Sequence, residues 1–144
     1  MAYFDARAEY ECRLLVHQYV EAVDAQDYER LRGLLTADAV LMRPSDPERP
    51  VVGVEAIIAM MQARPRTPLG YHLVTNLIIE FDSPEQARGS CRLLLYLADA
   101  AGADVPGRGR QVAAMRVGGY TDRFVRTAQG WRICERRGSM FGHD

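Results

Sequence analysis

From Asp5 to Ala25 the chain runs without proline or glycine, and Cys12, Leu15, Val16, Tyr19, Ala22 and Val23 recur at steps of three and four residues. That spacing is one face of an amphipathic helix. Asp24 falls in its last turn. Asp27 is placed to cap a second helix over "YERLRGLLT", with Leu31, Leu34 and Leu35 inward and Glu29 and Arg30 outward. "ADAVLMRP" predicts a short strand, and the proline-rich, charged "RPSDPERP" predicts a surface loop. Gly53 then leads into a third helix. Its apolar residues Val54, Ile57, Ile58 and Met61 share one side until Pro65 ends it.

The second half changes period. Long strands are predicted over 70–81, 86–98, 111–127 and 130–141, separated by "DSPEQ", "DAAGADVPGRG" and "AQG". Short turns of this kind join antiparallel neighbours. Helices followed by a meander predict an α+β fold in which a curved antiparallel sheet wraps three helices. The 144 residues fit one domain, large enough to bury roughly two thirds of its unfolded surface and to hold a pocket as well as a core.

Composition mostly excludes. With 18 basic and 19 acidic residues the net charge is -1, which offers no electrostatic footprint for nucleic acid or anionic lipid. No apolar run approaches the ~18 residues that span a bilayer, so a soluble, cytoplasmic protein is expected. Cys12, Cys91 and Cys134 lack CxxC spacing and are expected to be reduced and mostly buried. HExxH, Walker, GxSxG and Rossmann patterns are missing, which leaves no motif for a metal, a nucleotide cofactor or a serine nucleophile.

Candidate chemistry begins in "GYHLVTNLIIEF". Alternation puts His72, Val74, Asn76 and Ile78 on one face and Leu73, Thr75, Leu77 and Ile79 on the other, so the strand reads as buried and central. A buried imidazole without a partner costs about 1 to 3 kcal/mol. Asp24 has the converse problem, because a carboxylate at a helix C-terminus faces the negative end of the dipole. If the two meet, the carboxylate accepts Nδ1–H and leaves Nε2 as a general base. The alternatives are a satisfied core histidine and a solvated helix-end aspartate. Tyr120, Asp122, Phe124 and Arg126 share a strand face, and Tyr19 lies on the helical stripe before Asp24. Both tyrosines can be pocket hydroxyls or simple packing.

"YVEAVDAQDYERLRGLLTADA", "GVEAI", "HLVTN" and "GGYTDRFVRTAQGWRICERR", in this order and spacing, resemble the SnoaL-like branch of the nuclear-transport-factor-two-like superfamily. The resemblance covers nearly the whole chain. It implies a cone-shaped α+β fold, three helices packed into a curved, barrel-like sheet around an apolar cavity open at one end, with no cofactor. The pattern is nearest to scytalone dehydratases and hexachlorocyclohexane dehydrochlorinases. Asp24 and His72 match their paired aspartate and histidine, and Thr75 and Asn76 match the "TN" that follows in the dehydrochlorinases. What this implies is a lyase or isomerase in which His72 removes a proton from carbon while a leaving group departs from the neighbouring atom.

By the same resemblance Arg126, before "GWRIC", would steady a developing anion, and Tyr120 would donate a hydrogen bond. Tyr19, Asn76, Tyr96, Phe124 and Trp131 would contact a hydrophobic, cyclic polyketide or aromatic substrate. One departure is plain. The second histidine of scytalone dehydratases falls here on Leu97, with Tyr96 beside it. The superfamily also contains ligand-binding proteins and dioxygenase beta subunits, and the same pocket could serve a polyketide cyclase, so these remain alternatives. A homodimer or homotrimer is expected, with no nucleic-acid or membrane partner.

Overall fold

The computed structural model describes residues 3–65 and 69–143. Helix α1 (Ala6–Ala25) starts at Asp5, whose carboxylate accepts from the backbone N–H groups of Arg7 and Ala8. It stops at Gln26, which adopts the left-handed conformation at φ 57°. The Asp27 N–H closes the last turn onto the Ala22 carbonyl at 2.9 Å, and the Asp27 side chain caps α2 (Tyr28–Leu34) through the Arg30 N–H. There follow β1 (Leu35–Arg43), β2 (Asp46–Val52), α3 (Val54–Gln62), β3 (Gly70–Ser83), β4 (Gln86–Ala98), β5 (Val112–Thr127) and β6 (Gly130–His143).

The six strands form a sheet in the order β2-β1-β6-β5-β4-β3, curled but not closed. It is mixed rather than wholly antiparallel, because β1 joins β6 in parallel. Chain from the helical layer feeds β1, so no hairpin fixes its direction. "RPSDPERP" is not a loop either. It turns β1 into β2, an edge strand on which Pro47 and Pro50 need no N–H partner. Nor is β3 central. It is the opposite edge, and Tyr71, Leu73 and Ile78 on its outer face are exposed. Apolar residues on both faces signalled two covered sides, whereas this chain covers one.

The core fills the curl. Cys12, Val16 and Tyr19 of α1 pack with Leu31, Ile57 and Ile58 from the other helices and with Phe124 and Ile133 from the sheet. One end is sealed by edge-to-face contacts of Phe81 with Tyr3 and with Trp131. All three cysteines are free; burial pushes the Cys12 thiol up to about 12 and raises the other two. Among the described residues no helix is long and apolar enough to cross a membrane.

Two bulges decide which side chains face inward. Asn76, at φ 54°, interrupts β3, so His72 and Val74 point inward before it and Leu77, Ile79 and Phe81 after it. In β6, Ile133 pairs with Phe124 and Glu135 with Arg123, leaving Cys134 as the extra residue. Trp131 and Ile133 face inward before that point, Arg136 and Gly138 after it.

Candidate functional site

At the end of the curl away from Trp131 lies a cavity of about 480 Å³. Val23, Leu41, Met61, Leu93 and Leu95 make it apolar, while His72, Tyr19, Tyr120 and three arginines add polar groups. A recess of about 190 Å³ adjoins it, lined in part by Asp24, with His72 and Arg64 on the boundary of both.

Asp24 and His72 meet. The His72 Nδ1 is 2.6 Å from Asp24 Oδ1, and the His72 backbone N–H donates to Oδ2 at 2.8 Å. Edge position explains the second bond, since an edge strand leaves alternate N–H groups without a strand partner. Here the helix supplies one. Those two donors compensate the unfavourable place of a carboxylate at the end of α1. A carboxylate only accepts, so a neutral His72 carries its proton on Nδ1 and leaves Nε2 as an acceptor. Both side chains are largely buried, 17% and 13% exposed, and Nε2 makes no hydrogen bond among the described residues.

A second ionic pair lies deeper. Arg136 donates to both oxygens of Asp122, at 2.8 and 2.7 Å, across directly opposed positions of β5 and β6. Its guanidinium lies over the ring of Tyr19 at 4.0 Å and over that of Tyr120 at 3.9 Å, two rings that themselves meet edge to face. Burial opposes the charge of Arg136, but the Asp122 carboxylate outweighs it and holds the guanidinium above its ordinary range. Burial likewise raises the two phenols, with the charge of Arg136 pulling the other way, so both hydroxyls stay protonated donors at neutral pH.

The other expected site residues scatter. Arg126 is on the inner parity of β5 but shares a separate recess with Asp5 and Trp131, roughly 28 Å along α1 from Asp24. It cannot serve the cavity that His72 faces. Phe124 and Trp131, 1% and 3% exposed, are core residues outside the cavity wall. Tyr96 points away, because Leu93 and Leu95 take the inward positions of β4. Asn76 is exposed at its bulge, its side-chain oxygen accepting from Thr75 at 2.9 Å. The dyad and both tyrosines are the part brought together. Sequence reading missed Arg136 because strict alternation along β6 would turn it outward, with Arg132 and Cys134. Among the described residues no cluster of three or more His, Cys, Asp or Glu side chains is placed to hold a metal ion.

Comparison with known proteins agrees with this architecture. The model of the SnoaL-like domain matches residues 5–137. No curated protein matches in sequence. Among solved structures, Rv3472 of Mycobacterium tuberculosis, described as of unknown function, is 27% identical with a TM-score of 0.73, over 90% of this chain and 69% of that one. A hexachlorocyclohexane dehydrochlorinase, LinA type 2, is 19% identical with a TM-score of 0.76, over 97% and 92%. A candidate scytalone dehydratase of Novosphingobium aromaticivorans is 18% identical with a TM-score of 0.73, over 92% and 83%. At such identities the last two likenesses establish the shared fold.

Proposed function

The chain belongs to the SnoaL-like family, and on that premise we propose that it is a cofactor-free lyase or isomerase acting on a hydrophobic, cyclic small molecule through the Asp24 and His72 pair. One observation carries the reading: a carboxylate grips a histidine through both Nδ1 and the backbone N–H, on the wall of a mostly apolar cavity. About 480 Å³ lies within the range of small-molecule sites.

The chemistry follows from the free nitrogen. His72 Nε2 takes a proton from a carbon acid, and Asp24 stabilises the resulting imidazolium without itself being protonated. The electron pair of the broken C–H bond becomes the new double bond. A leaving group on the adjacent carbon departs with its own bonding pair. If that group is hydroxide, the proton on Nε2 is available to convert it to water. Tyr120 and Tyr19, protonated and at the cavity wall, can donate to a substrate carbonyl or to the departing oxygen. Isomerisation returns the proton to a different carbon, and cyclisation uses the resulting carbanion as a nucleophile, so both share the first step.

Simple carbon acids suffice for the test, whatever the natural substrate. A panel of cyclic ketones and β-hydroxyketones is incubated with the protein in deuterated water. NMR follows exchange at the carbon next to the carbonyl, and absorbance follows the new conjugated double bond. His72→Ala should lower either rate by at least ~100-fold. Equal rates in the two proteins would end the proposal.

A further inference from the structure

Charge of one sign lines the cavity. Arg43, Arg64 and Arg116 all contribute to its wall, and among the described residues no aspartate or glutamate does. Asp24 belongs to the adjoining recess and is engaged by His72. Arg43 reaches Asp46 only at 3.4 Å through Nη2, and its Nε is buried without a partner. The contact found for Arg64 is the Met60 sulfur at 4.0 Å. Neither Arg64 nor Arg116 meets a carboxylate among the described residues. Proton abstraction by His72 does not require three guanidinium groups. Cations collected in a concave, half-apolar wall raise the local concentration of an anion.

Sheet register fixes where such an anion would lie. His72 on β3 is opposite Leu95 on β4, and Leu95 is opposite Arg116 on β5. The three stand in one row on the inner face, so His72 and Arg116 are two strand spacings apart, roughly 10 Å at the backbone. Leu95 is the apolar floor between them. Further along β5, Gly118 keeps the floor open between Arg116 and Tyr120. A Cβ there would come within 2.2 Å of the Ser139 carbonyl oxygen, so no larger residue fits without moving backbone.

We propose that the substrate is an apolar ring compound bearing an oxyanionic group, a carboxylate or a phosphate. Arg116 and Arg64 seat that group, Arg43 stands beside them, and the reacting carbon lies over His72. The proposal rests on reading this cavity as the catalytic pocket. A guanidinium presents a planar fork that matches either oxyanion with two parallel hydrogen bonds.

Isothermal titration calorimetry with naphthoate, naphthyl phosphate and naphthamide tests it, because the three probes share a ring body and differ in charge. Wild-type protein, the double variant Arg64→Gln with Arg116→Gln, and His72→Gln are compared. At least one anion should bind about tenfold or more tightly than the amide, equivalent to ~1.4 kcal/mol. The preference should shrink with added salt, disappear in the double variant and persist in His72→Gln. Preference for the carboxylate points to an acid on the ring itself, and preference for the phosphate to a phosphorylated substrate. Amide binding equal to both anions, a preference that survives the double variant, or no binding by any probe would overturn the proposal. Wild-type preference is independent of any variant's folding, and both arginines are exposed side chains away from the core. Failure of proton exchange in the His72 test would leave this binding result standing, so the two ideas fail separately.

Discussion

Two acid-base pairs hold this molecule's inner face, and they are built to opposite ends. Asp122 and Arg136 are each 1% exposed at the side chain and joined by two hydrogen bonds, with the guanidinium over the rings of Tyr19 and Tyr120. His72 keeps partial access to the cavity and Asp24 to the adjoining recess, and one ring nitrogen is uncommitted. The first pair uses its bonding capacity on the fold, except at Arg136 Nη1, which is buried without a hydrogen-bond partner among the described residues. The second uses half of it to orient the other half. A sealed, net-neutral pair contributes rigidity and a guanidinium face against two phenols, whereas an open pair contributes a proton acceptor.

That contrast predicts different losses. The largest should follow Asp122→Ala, which strands the buried Arg136 charge and should lower unfolding free energy by ~3–5 kcal/mol in urea titration. A loss below about 1 kcal/mol would mean that the charge finds water or another partner and is not sealed. Replacing His72 with alanine should act the other way round, reducing turnover by at least ~100-fold while costing clearly less stability than Asp122→Ala, because Asp24 keeps the backbone N–H of position 72. If the midpoint instead drops as far as for Asp122→Ala, His72 is a structural residue and the contrast collapses.

Asp24→Asn should sit between these, since it removes a charge-assisted bond to Nδ1 and keeps an oxygen for the His72 N–H. Turnover should fall about 10- to 100-fold, measured on whichever carbon acid the wild-type protein exchanges. Unaltered turnover would show that Asp24 does not orient the base. The smallest stability effect belongs to Tyr120→Phe, which keeps the ring against Arg136. Its stability should stay within about 1 kcal/mol of wild type, and a selective fall in turnover would assign the hydroxyl a donor role. A large loss of stability would place that hydroxyl in the fold rather than at the substrate.

What could be read from sequence follows the same division. Helix periods, the caps at Asp5 and Asp27, and four long strands were visible because each repeats a local rule over many residues. Asp24 and His72 were visible as violations, a carboxylate at the wrong helix end and an imidazole in an apolar run. Their meeting is the observed geometry. Arg136 was hidden by the extra residue at Cys134, which reverses the facing of everything after it. Asn76 was misassigned by the corresponding event in β3. Arg126 shows a different limit. Alternation assigns a face correctly yet carries no information on height along the cone, and Arg126 stands at the wrong height. The parallel junction of β1 with β6 had no local signal, because it depends on where the helices deliver the chain.

The proposed chemistry requires that Asp24 fix His72 with a bare Nε2 toward the cavity. Long-range nitrogen-proton correlation NMR on labelled protein, at a pH where the imidazole is neutral, reads the tautomer of His72 directly. Wild type should show a protonated Nδ1 and an unprotonated Nε2, with that preference weakened in Asp24→Asn. A wild-type His72 carrying its proton on Nε2 would contradict that chemistry.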